Sequence, residues 1–127
     1  MSSMSVACYF PWSRVKVEGQ SVSEEADLAQ INIAPDLRYR PLCHACGSGQ
    51  GRVHQWHHRM VRDLNLGQAK IFLNVSYRNV CCPRCGTIVV EHLPFVEPRR
   101  RITNRLARYI HELCQILPVS QVAEHLD

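Results

Sequence analysis

Two pairs of cysteines constrain the fold of this chain more than any other feature. Two residues separate Cys43 from Cys46 and Cys82 from Cys85, and a glycine follows each pair. Two thiolates at this spacing can reach one ion when the chain turns back between them, and glycine supplies the backbone freedom for such a turn. The matched pairs therefore predict a tetrahedral zinc site with four thiolate ligands, which leaves the metal no open position for catalysis.

Two disulfides, or a redox pair of the thioredoxin kind, are the alternative uses of these cysteines. The chain has seven cysteines, and an odd number suits a disulfide framework poorly. A redox pair normally lies at the start of a helix, whereas both pairs here adjoin predicted strands. Cys81 can replace Cys82 as a ligand only by breaking the two-residue spacing. Cys114 is expected to be buried on an apolar helix face.

The amino terminus has neither the basic start nor the apolar stretch of a secretory signal. No segment approaches the roughly 18 uninterrupted apolar residues of a membrane helix. We therefore expect a cytoplasmic protein without a membrane partner, in a compartment where thiols stay reduced and available for metal.

Apolar and polar residues alternate along much of the first hundred positions. Residues 14–33 predict a β-hairpin whose polar turn covers residues 19–27. Further strands are predicted over residues 52–57, 59–63, 69–80 and 87–91. The last two strands flank the second cysteine pair. We call the turn that carries each pair a knuckle, the first around Cys43 and Cys46 and the second around Cys82 and Cys85. The order of strand, knuckle and strand is typical of a zinc ribbon. The core looks small, and a structural zinc ion can contribute about 10–16 kcal/mol to folding.

The pattern changes to a helical one after Pro98. Residues 103–117 carry apolar side chains at three- and four-residue spacing, with Thr103 as the expected N-cap. Pro118 ends that helix, and residues 120–126 predict a second one. Two helices joined by a tight turn resemble the first two helices of a helix-turn-helix unit.

The predicted fold class is α+β: a small β-rich zinc ribbon followed by a partial helix-turn-helix. We divide the chain into an amino-terminal tail (residues 1–13), a domain of β-hairpin plus zinc ribbon (residues 14–97) and the helix pair (residues 98–127). The net charge is only +4, but five arginines cluster without an intervening acid and predict a phosphate-contacting surface: Arg99, Arg100, Arg101, Arg105 and Arg108.

From the first cysteine pair onward, the ordered motifs resemble the amino-terminal region of insertion-sequence transposases of the ISL-three family. The motifs are Cys43-x-x-Cys46-Gly47, Arg52-Val-His54, Arg59-x-Val-Arg-Asp63-Leu64, Tyr77-Arg78, Cys82-Pro-x-Cys85-Gly86, Glu91-x-Leu93 and Thr103-x-x-Leu106-Ala107. The resemblance implies a bacterial zinc ribbon and helix-turn-helix that bind double-stranded DNA at transposon ends. It makes Cys43, Cys46, Cys82 and Cys85 the zinc ligands. It adds Arg59, Arg62, Arg78 and the run at 99–101 as candidate DNA contacts.

The family's nuclease domain has no counterpart in this sequence, and the acids present suggest no two-metal carboxylate set. We therefore expect a non-catalytic transposase fragment with no catalytic residues. Inhibition of an intact transposase, through competition for DNA ends, is a further hypothesis. Self-association or pairing with the full-length transposase is a separate hypothesis about its partners. Two rival functions are a protein-interaction zinc ribbon, which docks through Leu106, Ile110, Leu113 and Leu117, and a thiol oxidoreductase.

Overall fold

The structure is a computed structural model that describes residues 6–126. It contains a short 3₁₀-helix, Val6–Tyr9, five strands and two helices. The strands are β1 (Val15–Ser23), β2 (Leu28–Pro35), β3 (Arg52–Leu66), β4 (Ala69–Cys82) and β5 (Thr87–Val90). The helices are α1 (Asn104–Cys114) and α2 (Val119–Leu126). This order, β-rich first and helical at the end, confirms the predicted α+β class.

The five strands form one sheet in which β4 is the central strand. The order is β1-β2-β4-β3, and β5 pairs with the end of β4 beyond β2. β2 runs parallel to β4, while β1 with β2, β3 with β4 and β4 with β5 are antiparallel. Because β4 leads into the second cysteine pair and β5 leaves it, the sheet places that knuckle at its end.

Two strand predictions need correction. The polar turn expected over residues 19–27 is shorter, because β1 continues to Ser23 after an irregularity in register between Val17 and Gly19. The separate strands expected over residues 52–57 and 59–63 are one long strand, β3. In both places backbone pairing with a neighbouring strand extends the strand through polar residues, which the apolar alternation does not reveal.

One face of the sheet carries the main core. Residues Ile71, Leu73 and Val75 of β4 are buried, as predicted for one face of that strand. Phe95 packs over them from the segment after β5, and Trp12 stacks on Phe95 with ring centroids 4.4 Å apart. The core is therefore larger than the sequence suggested.

The three domain boundaries stay predictions, and residues 1–5 and 127 lie outside the described part.

Thr103 caps α1 as predicted, because its hydroxyl accepts a hydrogen bond from the N–H of Leu106 at 3.2 Å. α1 ends at Cys114, earlier than residue 117, and α2 buries Val122. The expectation of a buried Cys114 is wrong, since its side chain is exposed. Among α1 residues, only Leu106 is buried. The other apolar side chains of α1 are therefore more exposed than those of a helix that packs fully in a core.

A buried polar junction attaches α1 to the sheet. Asp63 of β3 is fully buried and accepts hydrogen bonds from the hydroxyl of Thr103 at 2.7 Å and from Nε of Arg105 at 2.9 Å. The Arg105 guanidinium forms an ion pair with the Asp63 carboxylate and lies over the ring of Trp12. Ile102 also forms an isolated parallel β-bridge with Arg62 of β3. These contacts set the position of α1 on the sheet.

None of the described helices is long and apolar enough to cross a membrane.

Candidate metal centre and basic surface

Two turns bring together the sulfur atoms of the predicted ligands, Cys43, Cys46, Cys82 and Cys85. All four sulfur atoms lie within 4.8 Å of one another. The Sγ–Sγ distances between turns are 3.7 Å for Cys43 to Cys85 and 3.5 Å for Cys46 to Cys82. A tetrahedral zinc with Zn–S bonds of about 2.3 Å requires sulfur atoms about 3.8 Å apart, so these residues fit the metal. The site can hold one metal ion.

The glycine after each cysteine pair has the role expected from the sequence. Gly47 and Gly86 have φ angles of 76° and 70°, the left-handed region that glycine adopts without strain. Their N–H groups donate to the carbonyl oxygens of Cys43 and Cys82 at 2.8 and 2.9 Å. Each pair is therefore held in a tight turn that directs both thiols to the same point.

The thiols influence one another's ionisation. Burial raises the pKa of the Cys43 thiol, but hydrogen bonds from the backbone N–H groups of Cys46 and Ala45 outweigh it and lower the pKa from 9.0 to about 7. The neighbouring thiols, first that of Cys46, raise the pKa of Cys85 to about 12. The cluster thus favours the thiolate at Cys43 and disfavours the one at Cys85, mainly through hydrogen bonds among the thiols. A bound dication allows all four thiols to ionise.

No other candidate ligand joins this group within residues 6–126. All seven cysteines are free thiols, and Cys81 is exposed beside the buried Cys82. Successive strand residues point to opposite faces, which explains why Cys82 and not Cys81 reaches the cluster. His57 forms a hydrogen bond with Asn79, and the histidines are absent from the metal-binding group.

The eight candidate DNA-contact arginines occupy different environments. Arg78 is buried and forms a bidentate pair with Glu91, with both N–O distances at 2.8 Å. Arg105 is paired with the buried Asp63. These two guanidinium groups hold parts of the fold together: Arg78 joins β4 to the residue after β5, and Arg105 joins α1 to β3.

Arg59 and Arg62 of β3 contact the backbone of later segments. Arg59 donates to the carbonyl of Glu97 at 3.1 Å, and Arg62 donates to the carbonyl of Leu126 at 2.8 Å. Both side chains are partly exposed. Their hydrogen bonds link the sheet to the segment before α1 and to the end of α2.

The remaining four arginines form the exposed basic surface: Arg99, Arg100, Arg101 and Arg108. The run at 99–101 lies in the turn before α1, where Arg99 has a φ of 67°. Arg108 follows one turn into α1. The structure therefore gathers four exposed guanidinium groups around the start of α1.

Comparison with known proteins agrees with this arrangement. Residues 91–127 match the family described as "Helix-turn-helix domain of transposase family ISL3". A curated relative, "Transposase for insertion sequence element IS1001" from Bordetella parapertussis, is 34% identical over 86 residues, which cover 68% of this chain and 21% of that transposase. No solved structure matches.

Fold and site together define a four-cysteine zinc-ribbon architecture followed by a partial helix-turn-helix. The two matches confirm the resemblance to the amino-terminal region of ISL3-family transposases. The chain spans about a fifth of the curated transposase it matches.

Sequence reasoning missed the partners of the buried arginines. Glu91 and Asp63 are buried carboxylates, each satisfied by an arginine from another element. One indication in the sequence pointed to the burial of these acids: both belong to motifs shared with the transposase family and lie next to apolar residues of predicted strands. Their pairing depends on strand register, which a single sequence does not reveal.

Proposed function

We propose that this chain is a zinc-dependent DNA-binding region of a transposase that recognises transposon ends. The helix-turn-helix family match over residues 91–127 carries the proposal. The geometry of the cysteine cluster supports zinc as the metal, since four sulfur ligands at these distances suit its tetrahedral preference. Transposon DNA lies in the bacterial cytoplasm, where reduced thiols remain available to the metal.

The exposed arginines support duplex DNA as the partner. Arg99, Arg100, Arg101 and Arg108 are exposed around the start of α1, and none takes part in an ion pair among the described residues. We include these four as the principal phosphate contacts. Arg59 and Arg62 remain secondary candidates. Arg78 and Arg105 are left out, because moving either guanidinium would leave a buried carboxylate unpaired.

We propose a binding role and no catalytic one for the described residues. The buried acids Asp63 and Glu91 are engaged by Arg105 and Arg78, and a four-thiolate zinc ion has no open position for substrate. Competition with an intact transposase for DNA ends, or pairing with it, remains a hypothesis that depends on this binding.

The second candidate function is protein interaction through the helices. Ile116 and Val119 are 76% and 73% exposed, and they lie in and after the turn between α1 and α2. Exposed apolar side chains of this size can mark an interaction site. Leu106, which sequence analysis included in this docking face, is buried against the rest of the molecule and cannot contribute.

A salt titration separates the two functions. Zinc-loaded protein is titrated onto fluorescent duplexes of two unrelated sequences at several salt concentrations. If four phosphates are neutralised, log affinity falls against log salt with a slope of about −3.6. Replacing residues 99–101 with alanine should weaken binding similarly on both sequences and flatten the slope. Ile116→Asp, on the rival surface, should leave binding unchanged; loss of binding by Ile116→Asp alone would contradict the DNA-binding proposal.

A further inference from the structure

An open cleft of about 860 Å³ separates the first cysteine knuckle from the amino-terminal turn of α1. His44, the residue directly after the ligand Cys43, lines the cleft from the knuckle. Asn104 and Arg108 line it from α1, and Arg100 lines it from the segment before the helix. The cleft therefore joins side chains of the metal-binding region to side chains of the helical region.

The chemistry of the cleft suits an anion. Arg100 and Arg108 are exposed, and their guanidinium groups are free of ion pairs within residues 6–126. The first turn of α1 adds partial positive charge from its backbone N–H groups. Glu97 also lines the cleft and opposes this charge. Two arginines and one glutamate still leave the cleft with net positive charge.

The first knuckle and the end of β5 hold His44 in position. Its backbone N–H donates to the carbonyl of Val90 at 3.1 Å, next to the bridge between Cys43 and Glu91. Its ring stacks with that of His92 at a centroid distance of 6.1 Å. Both its neighbour Cys43 and the following ligand Cys46 belong to the sulfur cluster. An ordered first knuckle is therefore needed to hold the imidazole at the cleft.

We propose that this cleft binds one phosphodiester group of the DNA backbone, with Arg100 and Arg108 as charged contacts and His44 as a hydrogen-bond donor from the metal-binding knuckle. The inference rests on the proposed DNA-binding function and adds a specific phosphate position. It gives zinc a second role, because the metal orders a residue that contacts DNA. A backbone contact positions the protein and carries no base preference.

The test uses single variants of the full zinc-loaded chain in the same salt titration. Arg100→Ala and Arg108→Ala should each weaken binding about tenfold and make the slope less negative by about 0.9. His44→Ala should weaken binding about fivefold through loss of one hydrogen bond to the phosphate. His44→Gln retains an N–H donor and should recover part of the loss. Glu97→Gln should tighten binding, because it removes the opposing charge.

Arg84→Ala is the matched control, since Arg84 is an exposed arginine in the second knuckle and does not line the cleft. Mass spectrometry of each variant should show one metal ion per chain, so that a change in affinity reports the cleft and not loss of zinc. Equal effects of Arg84→Ala and Arg100→Ala, or full affinity in His44→Ala, would overturn the cleft while leaving DNA binding intact. Absence of salt-dependent binding in the unaltered chain would instead contradict the proposed function itself.

Discussion

The sheet and the two cysteine knuckles differ in how much apolar core they contain. Ile33, Leu73 and Val75 in the sheet are at most 1% exposed and belong to one continuous apolar core. In the knuckles, Cys43 and Cys82 are buried but His44, Arg84 and Cys85 are exposed, and the four thiols converge on one point. Apolar burial contributes roughly 25 cal/mol per Å² to the sheet, while for the knuckles we propose that a metal ion bound by the four thiols supplies the stabilisation.

This difference limits what the metal does for the fold. The sequence suggested that zinc replaces a core too small to hold the ribbon together, but strands β1 to β4 share a core that contains none of the four ligands. Zinc should therefore order the knuckles and β5, while the sheet folds by apolar burial. The proposed DNA contacts lie beside the first knuckle, because Arg100, Arg108 and His44 line the same cleft.

The largest effect that we expect follows removal of a ligand. Cys82→Ser should abolish zinc binding, because three thiolates and a hydroxyl lose most of the affinity of a four-thiolate site. Native mass spectrometry should show the metal content fall from one ion per chain to none. Circular dichroism should still show the sheet.

Cys81→Ser is the control for this change, since Cys81 is adjacent in sequence but exposed outside the sulfur cluster. It should keep one zinc ion per chain. A metal-free, folded wild-type protein with two disulfides would contradict the metal assignment. Complete loss of strand signal in Cys82→Ser would show that the sheet depends on zinc after all.

A smaller effect should follow from a cavity in the sheet. Leu73 is fully buried, and Leu73→Ala should lower the free energy of unfolding by about 2–5 kcal/mol, as large-to-small core changes do. Urea denaturation followed by circular dichroism measures the loss. Val22→Ala, at a side chain 61% exposed, is the control and should change stability by less than about 0.5 kcal/mol. Equal losses in the two variants would place the stabilising core elsewhere.

Local patterns predicted which four cysteines converge and much of the secondary structure. The spacing of the cysteine pairs identifies the four sulfur atoms that converge, and alternation predicts the buried face of β4. Thr103 is recognisable as an N-cap because capping depends on residues a few positions apart. In each case the residues that carry the signal are close in sequence or repeat a simple motif.

Contacts between distant segments could not be predicted from the sequence. Nothing local indicates that β2 lies parallel to β4, or that Asp63 meets Arg105. Charged residues are usually exposed, so sequence reasoning assigned Arg78 to DNA although the structure buries it against Glu91. Cys114 was expected to be buried, but it is exposed. An apolar stripe on a helix does not show which of its residues pack against the rest of the molecule.

The central claim is that zinc orders the knuckles and thereby strengthens DNA binding. Its most direct test is hydrogen exchange on zinc-loaded and chelator-treated protein, with DNA affinity measured on the same samples. We predict that removing zinc speeds exchange in residues 43–50 and 82–91, leaves β2 and the first half of β4 protected, and weakens DNA binding at least about fivefold through loss of the His44 contact. Unchanged exchange in the knuckles together with unchanged affinity would contradict the account.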